Sequence, residues 1–192
     1  MEATQVWERF THTGALLEGH FILSSGLHST RYLQCALALR QPSDAGAFGA
    51  ALAQQWRGTK LDAVVAPALG GLIIGYEVAR ALALPFFWTE RDNGQMALRR
   101  GFTVQPGARL LVVEDVITTG VSTRETIAAL QAAGAQVVGA ASIIDRSGGR
   151  AEVGVPRVAL ATLDVPSFAA DACELCAQGV PAVKPGSRSV SK

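Results

Sequence analysis

Short, continuous apolar runs alternate along the chain with longer stretches that mix small apolar and polar residues at helical spacing. Leu61–Ala66, Pro85–Thr89, Arg109–Val113, Gln136–Ile144 and Val158–Leu163 read as strands. Leu72–Ala83 and a segment from Val121 to Ala133, stopped by Gly134, read as helices. Ser43 is the expected N-cap of an Ala-rich helix over Asp44–Trp56. Strands that are apolar throughout are buried on both faces. The rhythm therefore predicts an α/β fold, a mainly parallel central sheet with helices on both faces. Such sheets bind ligands at the carboxyl ends of their strands, which directs attention to the loops after Ala66, Val113 and Ile144.

The flanking segments break this rhythm. Val6–His12 reads as part of a short amphipathic helix ending near Gly14, and His20–Leu23 and Arg31–Leu37 as extended segments around Ser24-Ser25-Gly26. These predict an N-terminal hood over residues 1–40, a core over 41–170, and a C-terminal helix and tail over 171–192 packed on or near the hood. Glu90–Gln95 is polar and carries Asn93-Gly94, a hairpin turn signal, before Met96–Arg100; it is the expected mobile internal segment. The Ser-, Lys- and Arg-rich stretch Lys184–Lys192 is expected to fray.

Composition narrows the partners. With 192 residues and 49% hydrophobic content, one α/β domain with a small appendage can bury a sizeable core. A formal charge of +1 gives no reason to expect a nucleic-acid or anionic-membrane surface, so a bound anion must be held by a local site. No apolar run is long enough for a membrane span, and Met1–Arg9 has no basic segment followed by an apolar one, so no secretory leader is expected. Three cysteines argue against a disulfide framework and fit a reducing cytoplasm. Cys173 and Cys176 form a single C-x-x-C; zinc would need two further ligands, and Cys35 would have to help. They are read as structural thiols, and no metal is expected to be held directly by the protein. His12, His20 and His28 lack helical metal spacing with a carboxylate and are read as surface or packing residues.

The chemistry concentrates in Leu110–Ser122. An apolar strand delivers two adjacent carboxylates, Glu114 and Asp115, and the chain then turns through Thr118-Thr119-Gly120 into a helix. Backbone N–H groups, hydroxyls and the positive end of a helix dipole suit a phosphate monoester. Carboxylates beside it can accept hydrogen bonds from vicinal ribose hydroxyls, so one loop can grip a ribose 5-phosphate at both ends. Neither a Walker A lysine motif nor a G-x-G-x-x-G after a strand is present.

This run resembles the phosphoribosyl pyrophosphate (PRPP) motif of type I phosphoribosyltransferases. Gly19-His-Phe-Ile-Leu-Ser-Ser-Gly26, Tyr32, Ala66-Pro-Ala-Leu-Gly-Gly71 and Asp145-Arg146 are similar to orotate phosphoribosyltransferases. Cys173-Glu-Leu-Cys176, Gly179, Pro181 and Lys184-Pro-Gly-Ser-Arg188 resemble a short-loop bacterial branch of that family. The resemblance implies transfer of the phosphoribosyl group of PRPP to orotate, with Mg²⁺ held mainly by PRPP, in a cytoplasmic homodimer whose loop reaches the neighbouring site. It assigns Glu114 and Asp115 to the ribose hydroxyls, and Val116, Ile117, Thr118, Thr119, Gly120, Val121 and Ser122 to the 5-phosphate. Leu69 and Gly70, in a loop with a cis Ala68–Leu69 peptide, fall to the pyrophosphate. Thr118 and Arg146, with Ser24, Ser25, Gly26, Tyr32 and Leu33 closing over the base, fall to orotate. The family commonly has Lys where Gly70 stands beside Leu69, and many members have Lys at Ser24; Arg91 is the basic residue left in the short loop as a catalytic candidate. A purine-type phosphoribosyltransferase or a non-catalytic PRPP sensor would share the same PRPP loop.

Overall fold

A computed structural model describes residues 1–23, 25–164 and 166–185; Ser24 and the tail beyond Pro185 lie outside the described residues. Among the described residues, six α-helices and nine strands follow one another as α1 (Ala3–His12), β1 (Leu16–Ile22), β2 (His28–Leu33), α2 (Cys35–Leu39), α3 (Pro42–Gln55), β3 (Ala63–Pro67), α4 (Gly71–Leu82), β4 (Phe86–Asp92), β5 (Gln95–Leu98), β6 (Arg109–Ile117), α5 (Val121–Ala132), β7 (Gln136–Asp145), β8 (Arg157–Thr162), β9 (Ser167–Phe168) and α6 (Glu174–Ala177).

The main sheet runs β5-β4-β3-β6-β7-β8, and every pairing is parallel except the β4–β5 hairpin. Strand periodicity divides the core into two layers. Val64, Leu111, Val113, Ala141 and Ile143 face the layer of α1, α3 and α4. Their neighbours Ala63, Val65, Leu110, Val112 and Ala140 face α5 through Ile127 and Leu130. The predicted mainly parallel, doubly covered sheet is therefore present. Val6 and Phe10 of α1 are fully buried in the first layer, so this helix belongs to the core rather than to the hood. The hood is a separate sheet, β1-β2-β9.

Several boundaries differ from the sequence expectation for local reasons. Helix α3 starts with Pro42 at its first turn, placing Ser43 inside it instead of at the cap. The end of the expected extended segment Arg31–Leu37 is helical instead: α2 starts at Cys35, runs to Leu39 through Ala and Leu, and buries Ala38 and Leu39. Strand β6 does not stop at Val113 but pairs with β7 as far as Ile117↔Asp145, so both carboxylates lie within it. Glu90–Gln95 is the tip of a regular hairpin, with Asn93 and Gly94 at φ 49° and 84°, as a tight primed turn requires.

Candidate functional site

Chain order in the main sheet reverses between β3 and β6: from β3 the chain passes to β4 on one side, and from β6 to β7 on the other. The crevice outside the carboxyl ends of these strands is where such sheets bind ligands. The loops after Pro67, Ile117 and Asp145 open there side by side.

Glu114 and Asp115 are successive residues of β6 and so project to opposite faces of the sheet end. Glu114, only 9% exposed, faces the α5 side near Thr123, while Asp115 faces Gly70 at the start of α4 and the Cys35 thiol of α2. Burial, with the adjacent Asp115 charge, pushes the Glu114 carboxyl up to about 8. Burial also raises Asp115, although a hydrogen bond from the Val116 N–H to Oδ1 at 2.9 Å works the other way. Burial and the Asp115 carboxylate push the Cys35 thiol well above its ordinary range. Neither acid has a cationic partner among the described residues. Two buried acids without a cation are a costly arrangement, and hydroxyl donors or a cation arriving with a ligand would relieve it.

Thr118 and Thr119 lead to Gly120, which sits at φ 74° as the residue before α5. A side chain there would also meet Val153 Cγ1 at 2.9 Å, so glycine is required twice over. Arg124 donates from Nη1 to Thr119 O and Glu152 O, bracing the loop from outside. The first N–H groups of α5, from Val121 and Ser122 onward, have no intrahelical acceptor by construction of a helix. In the neighbouring loop the Ala68–Leu69 peptide is cis, as the resemblance implied, and Leu69 is 77% exposed.

Arg146 follows β7, and its backbone N–H donates to Ile117 O at 2.8 Å, tying the two loops together. Its half-buried guanidinium has no carboxylate partner among the described residues and lies near Tyr32 and Cys35; burial lowers its pKa. The preceding Asp145 is fully engaged. It accepts hydrogen bonds from Ser147 N, Ser147 Oγ, Gly149 N and Arg157 Nη1. Burial pushes its carboxyl up, but these bonds and the Arg157 charge outweigh it and hold it below the usual carboxylate range. Asp145 therefore shapes the loop that presents Arg146.

The hood brings Tyr32 to this crevice, where burial raises its phenol and the Arg146 charge opposes that rise. Ser25 and Gly26 are exposed at the hood tip. Leu33 is 6% exposed and packs into the main core, so its side chain is not available to a base. Arg91 is turned away to the hairpin, donating to Gly94 O at 2.6 Å and pairing with Glu125 Oε2 of α5 at 2.5 Å. Sequence reasoning missed Cys35 as a neighbour of Asp115, and it also missed an assembly outside the crevice. Cys173 and Cys176 do not approach Cys35; they meet His20 and His28 at the back of the hood.

The geometry agrees with comparisons to known proteins. Residues 47–173 match the family described as phosphoribosyl transferase domain. Orotate phosphoribosyltransferase from Carboxydothermus hydrogenoformans is 50% identical over 190 residues, covering 98% of this chain and 100% of the relative. That from Thermotoga petrophila is 52% identical over 178 residues, covering 93% and 95%. The crystal structure of orotate phosphoribosyltransferase from Aeropyrum pernix superposes with a TM-score of 0.66 at 30% identity, covering 81% of this chain and 92% of that one. With the strand–acid–acid–turn–helix loop at the sheet crevice, these matches mean that the chain belongs to the phosphoribosyl transferase family, in its orotate phosphoribosyltransferase branch.

Proposed function

We propose that the protein transfers the phosphoribosyl group of PRPP to N1 of orotate, giving orotidine 5-phosphate and pyrophosphate, a step in making pyrimidine nucleotides. The observation that carries the orotate half is Arg146, a half-buried cation at the crevice with no anionic partner among the described residues. Its planar fork suits the carboxylate that distinguishes orotate from uracil. Thr118, Ser25, Gly26, Tyr32 and the backbone of Leu33 complete the orotate side.

Glu114 and Asp115 accept hydrogen bonds from the ribose hydroxyls, and residues 116–122 cradle the 5-phosphate at the start of α5. The loop at Leu69 and Gly70 offers backbone to the pyrophosphate. N1 of orotate bonds to C1 of the ribose as the C1–O bond to pyrophosphate breaks, and the N1 proton is released to solvent; no protein nucleophile is needed. The protein fixes the two substrates in line and supplies oriented dipoles as charge moves from ribose to leaving group. Glu114 and Asp115 face opposite sides of the strand end and do not converge on one ion, so at most one carboxylate would reach a hard cation and Mg²⁺ is assigned mainly to the oxygens of PRPP. When bound, Mg²⁺ stabilises negative charge on the leaving pyrophosphate.

Arg91 is the basic residue assigned to pyrophosphate, possible once it leaves Glu125. An exposed pair of this kind is worth about 0–1 kcal/mol, so a phosphate can displace the carboxylate at little cost. A homodimer sharing this loop is part of the same reading. Exposed Leu69, Ile73 and Tyr76, spaced along the start of α4 beside the site, support a covered surface there. Cytoplasmic residence is supported by the three unpaired cysteines. Pyrophosphate release from PRPP with orotate, tested beside adenine, hypoxanthine and uracil, decides the substrate. Release with adenine or hypoxanthine and not orotate would replace this reading with a purine-type one, and no release with any base would favour a PRPP sensor.

A further inference from the structure

Four side chains that the proposed reaction does not use converge behind the hood. His20 on β1 and His28 on β2 are 4% and 7% exposed, and their rings tilt together with centroids 4.9 Å apart. Cys173 stands at the cap of α6 and Cys176 in its first turn, which puts both sulfurs on one side of that turn. His20 Nε2 lies 2.8 Å from His28 Nδ1, 3.4 Å from Cys173 Sγ and 3.7 Å from Cys176 Sγ. Cys176 Sγ lies 3.2 Å from His28 Nδ1, and the four atoms are all within 4.8 Å of one another.

Zinc–nitrogen and zinc–sulfur bonds of about 2.0–2.3 Å at tetrahedral angles place ligand atoms about 3.3–3.8 Å apart. The observed separations bracket that range. The other nitrogen of His20, Nδ1, is 2.7 Å from Val180 O, and a carbonyl only accepts, so Nδ1 carries the proton. That leaves Nε2 with its lone pair toward the cluster, the orientation by which a ligating histidine is commonly fixed. Without an ion, His28 Nδ1 must then be the donor to His20 Nε2.

The surrounding chain needs such a fastening. Among residues 166–185, Cys173 is the one buried side chain, so apolar burial does little to hold this segment. Its backbone nevertheless pairs with the hood: Ile22 N donates to Val183 O and Val183 N to His20 O, each at 2.8 Å. Four borderline-soft donors from segments 153 residues apart, at His20 and Cys173, meet where packing is thin.

We propose that His20, His28, Cys173 and Cys176 form a structural zinc site, with two nitrogen and two sulfur ligands, that fastens the C-terminal segment to the hood. Binding Zn²⁺ releases the two thiol protons to solvent, and His28 moves its remaining ring proton from Nδ1 to Nε2; no redox partner is involved. The thiolates balance the ion's charge, so the closed site is neutral and has no open position for chemistry. It differs in ligands and place from the oxygen-bound Mg²⁺ of the crevice.

The test uses the full chain without a histidine tag, purified under reducing conditions and gel-filtered before elemental analysis. About one zinc per chain is expected, surviving removal of free metal. Cys173→Ser with Cys176→Ser should cut this to below about a tenth, while Cys35→Ser keeps it. If the double variant does not fold, the wild type still decides. Stripped of metal and titrated with Co²⁺, it should develop thiolate-to-cobalt charge transfer and the visible bands of a tetrahedral site, and Zn²⁺ should bleach both. Hydrogen exchange of β1, β2 and residues 173–183 should slow on adding zinc. Absence of zinc together with no cobalt bands, or zinc fully retained in a folded double variant, overturns the proposal. None of these readouts depends on the base the enzyme uses.

Discussion

Gly70 and Asp115 are in contact: a Cβ built on Gly70 would lie 2.7 Å from Asp115 Oδ1 and 2.9 Å from Oδ2. The loop before α4 and the end of β6 therefore meet where a side chain has no room.

Gly70→Ala isolates that contact. Gly70 has helical dihedrals, φ −56° and ψ −41°, so alanine suits its backbone. The added methyl must displace Asp115 or the loop, a strain of about 1–3 kcal/mol. KM for PRPP should rise about tenfold or more while the fold survives. Unchanged PRPP kinetics in Gly70→Ala would show that Asp115 moves aside freely and does not hold ribose.

Asp115→Asn should weaken PRPP handling by about 1.5–3 kcal/mol, the loss of a hydrogen bond to a charged group, and Glu114→Gln by about 0.5–1.5 kcal/mol, because a carboxyl raised to about 8 is mostly neutral at pH 7. Glu114 also makes a pH prediction. Its folded value, about 8, is above the ordinary 4.5, so between these the folded chain holds more protons than the unfolded one. Stability is full below about pH 4.5 and falls as pH rises toward 8, by at most about 1.4 kcal/mol per unit from this group. Urea melts across that window should show a shallower decline for Glu114→Gln than for the wild type. Parallel declines would mean that Glu114 ionises freely in the folded state.

The parallel sheet, its helices and the strand–acid–acid–turn–helix loop were legible in the sequence because their signals are local: apolar runs, Gly stops, and paired acids before a hydroxyl-rich turn. What escaped depends on distant segments meeting. Nothing near Cys35 announces Asp115, and nothing near His20 announces Cys173, 153 residues away. The residue-level hint was the C-x-x-C itself, but its partners lie on two strands of a hairpin rather than on a helix, so a search for helical histidine spacing passes over them. The family resemblance implies that Leu33, with Tyr32, closes over the base. Strand alternation sends its side chain the other way, into the core.

Arg91 and Glu125 should behave asymmetrically. Their pair is about one-third exposed on each side, so removing it costs the fold little. Arg91→Ala should lower kcat about tenfold or more if Arg91 meets pyrophosphate in the transition state. Glu125→Gln, which frees Arg91, should change kcat by less than about threefold. Equal losses in both variants would make the pair a hairpin brace and nothing more. Mixing Arg91→Ala with Arg146→Ala, which keeps Arg91 but should lose most turnover, tests the shared loop, since hybrids regain activity only if Arg91 acts across the interface.

Arg146 separates reading the base from holding PRPP. Its backbone is fixed by the bond to Ile117 O, and Asp145 with its four donors sets the loop, so substitution of the side chain leaves the presentation intact. The guanidinium is buried enough to have its pKa lowered by desolvation, yet no acid answers it among the described residues. In the proposed reaction, orotate supplies one. A lysine keeps the charge but cannot make the two parallel bonds of a planar fork. Arg146→Lys should therefore raise KM for orotate about tenfold or more, and Arg146→Ala should abolish most turnover, since truncating one partner of a buried charge pair costs about 2–5 kcal/mol. PRPP affinity, measured directly by calorimetry, should stay within about twofold in both variants because the proposed PRPP contacts lie on other loops. Arg146→Ala should also raise stability slightly without ligand, because a buried unpaired cation is removed. Retained orotate turnover in Arg146→Ala, or an equal loss of PRPP affinity, would move the carboxylate's partner elsewhere and leave the crevice as a PRPP site alone.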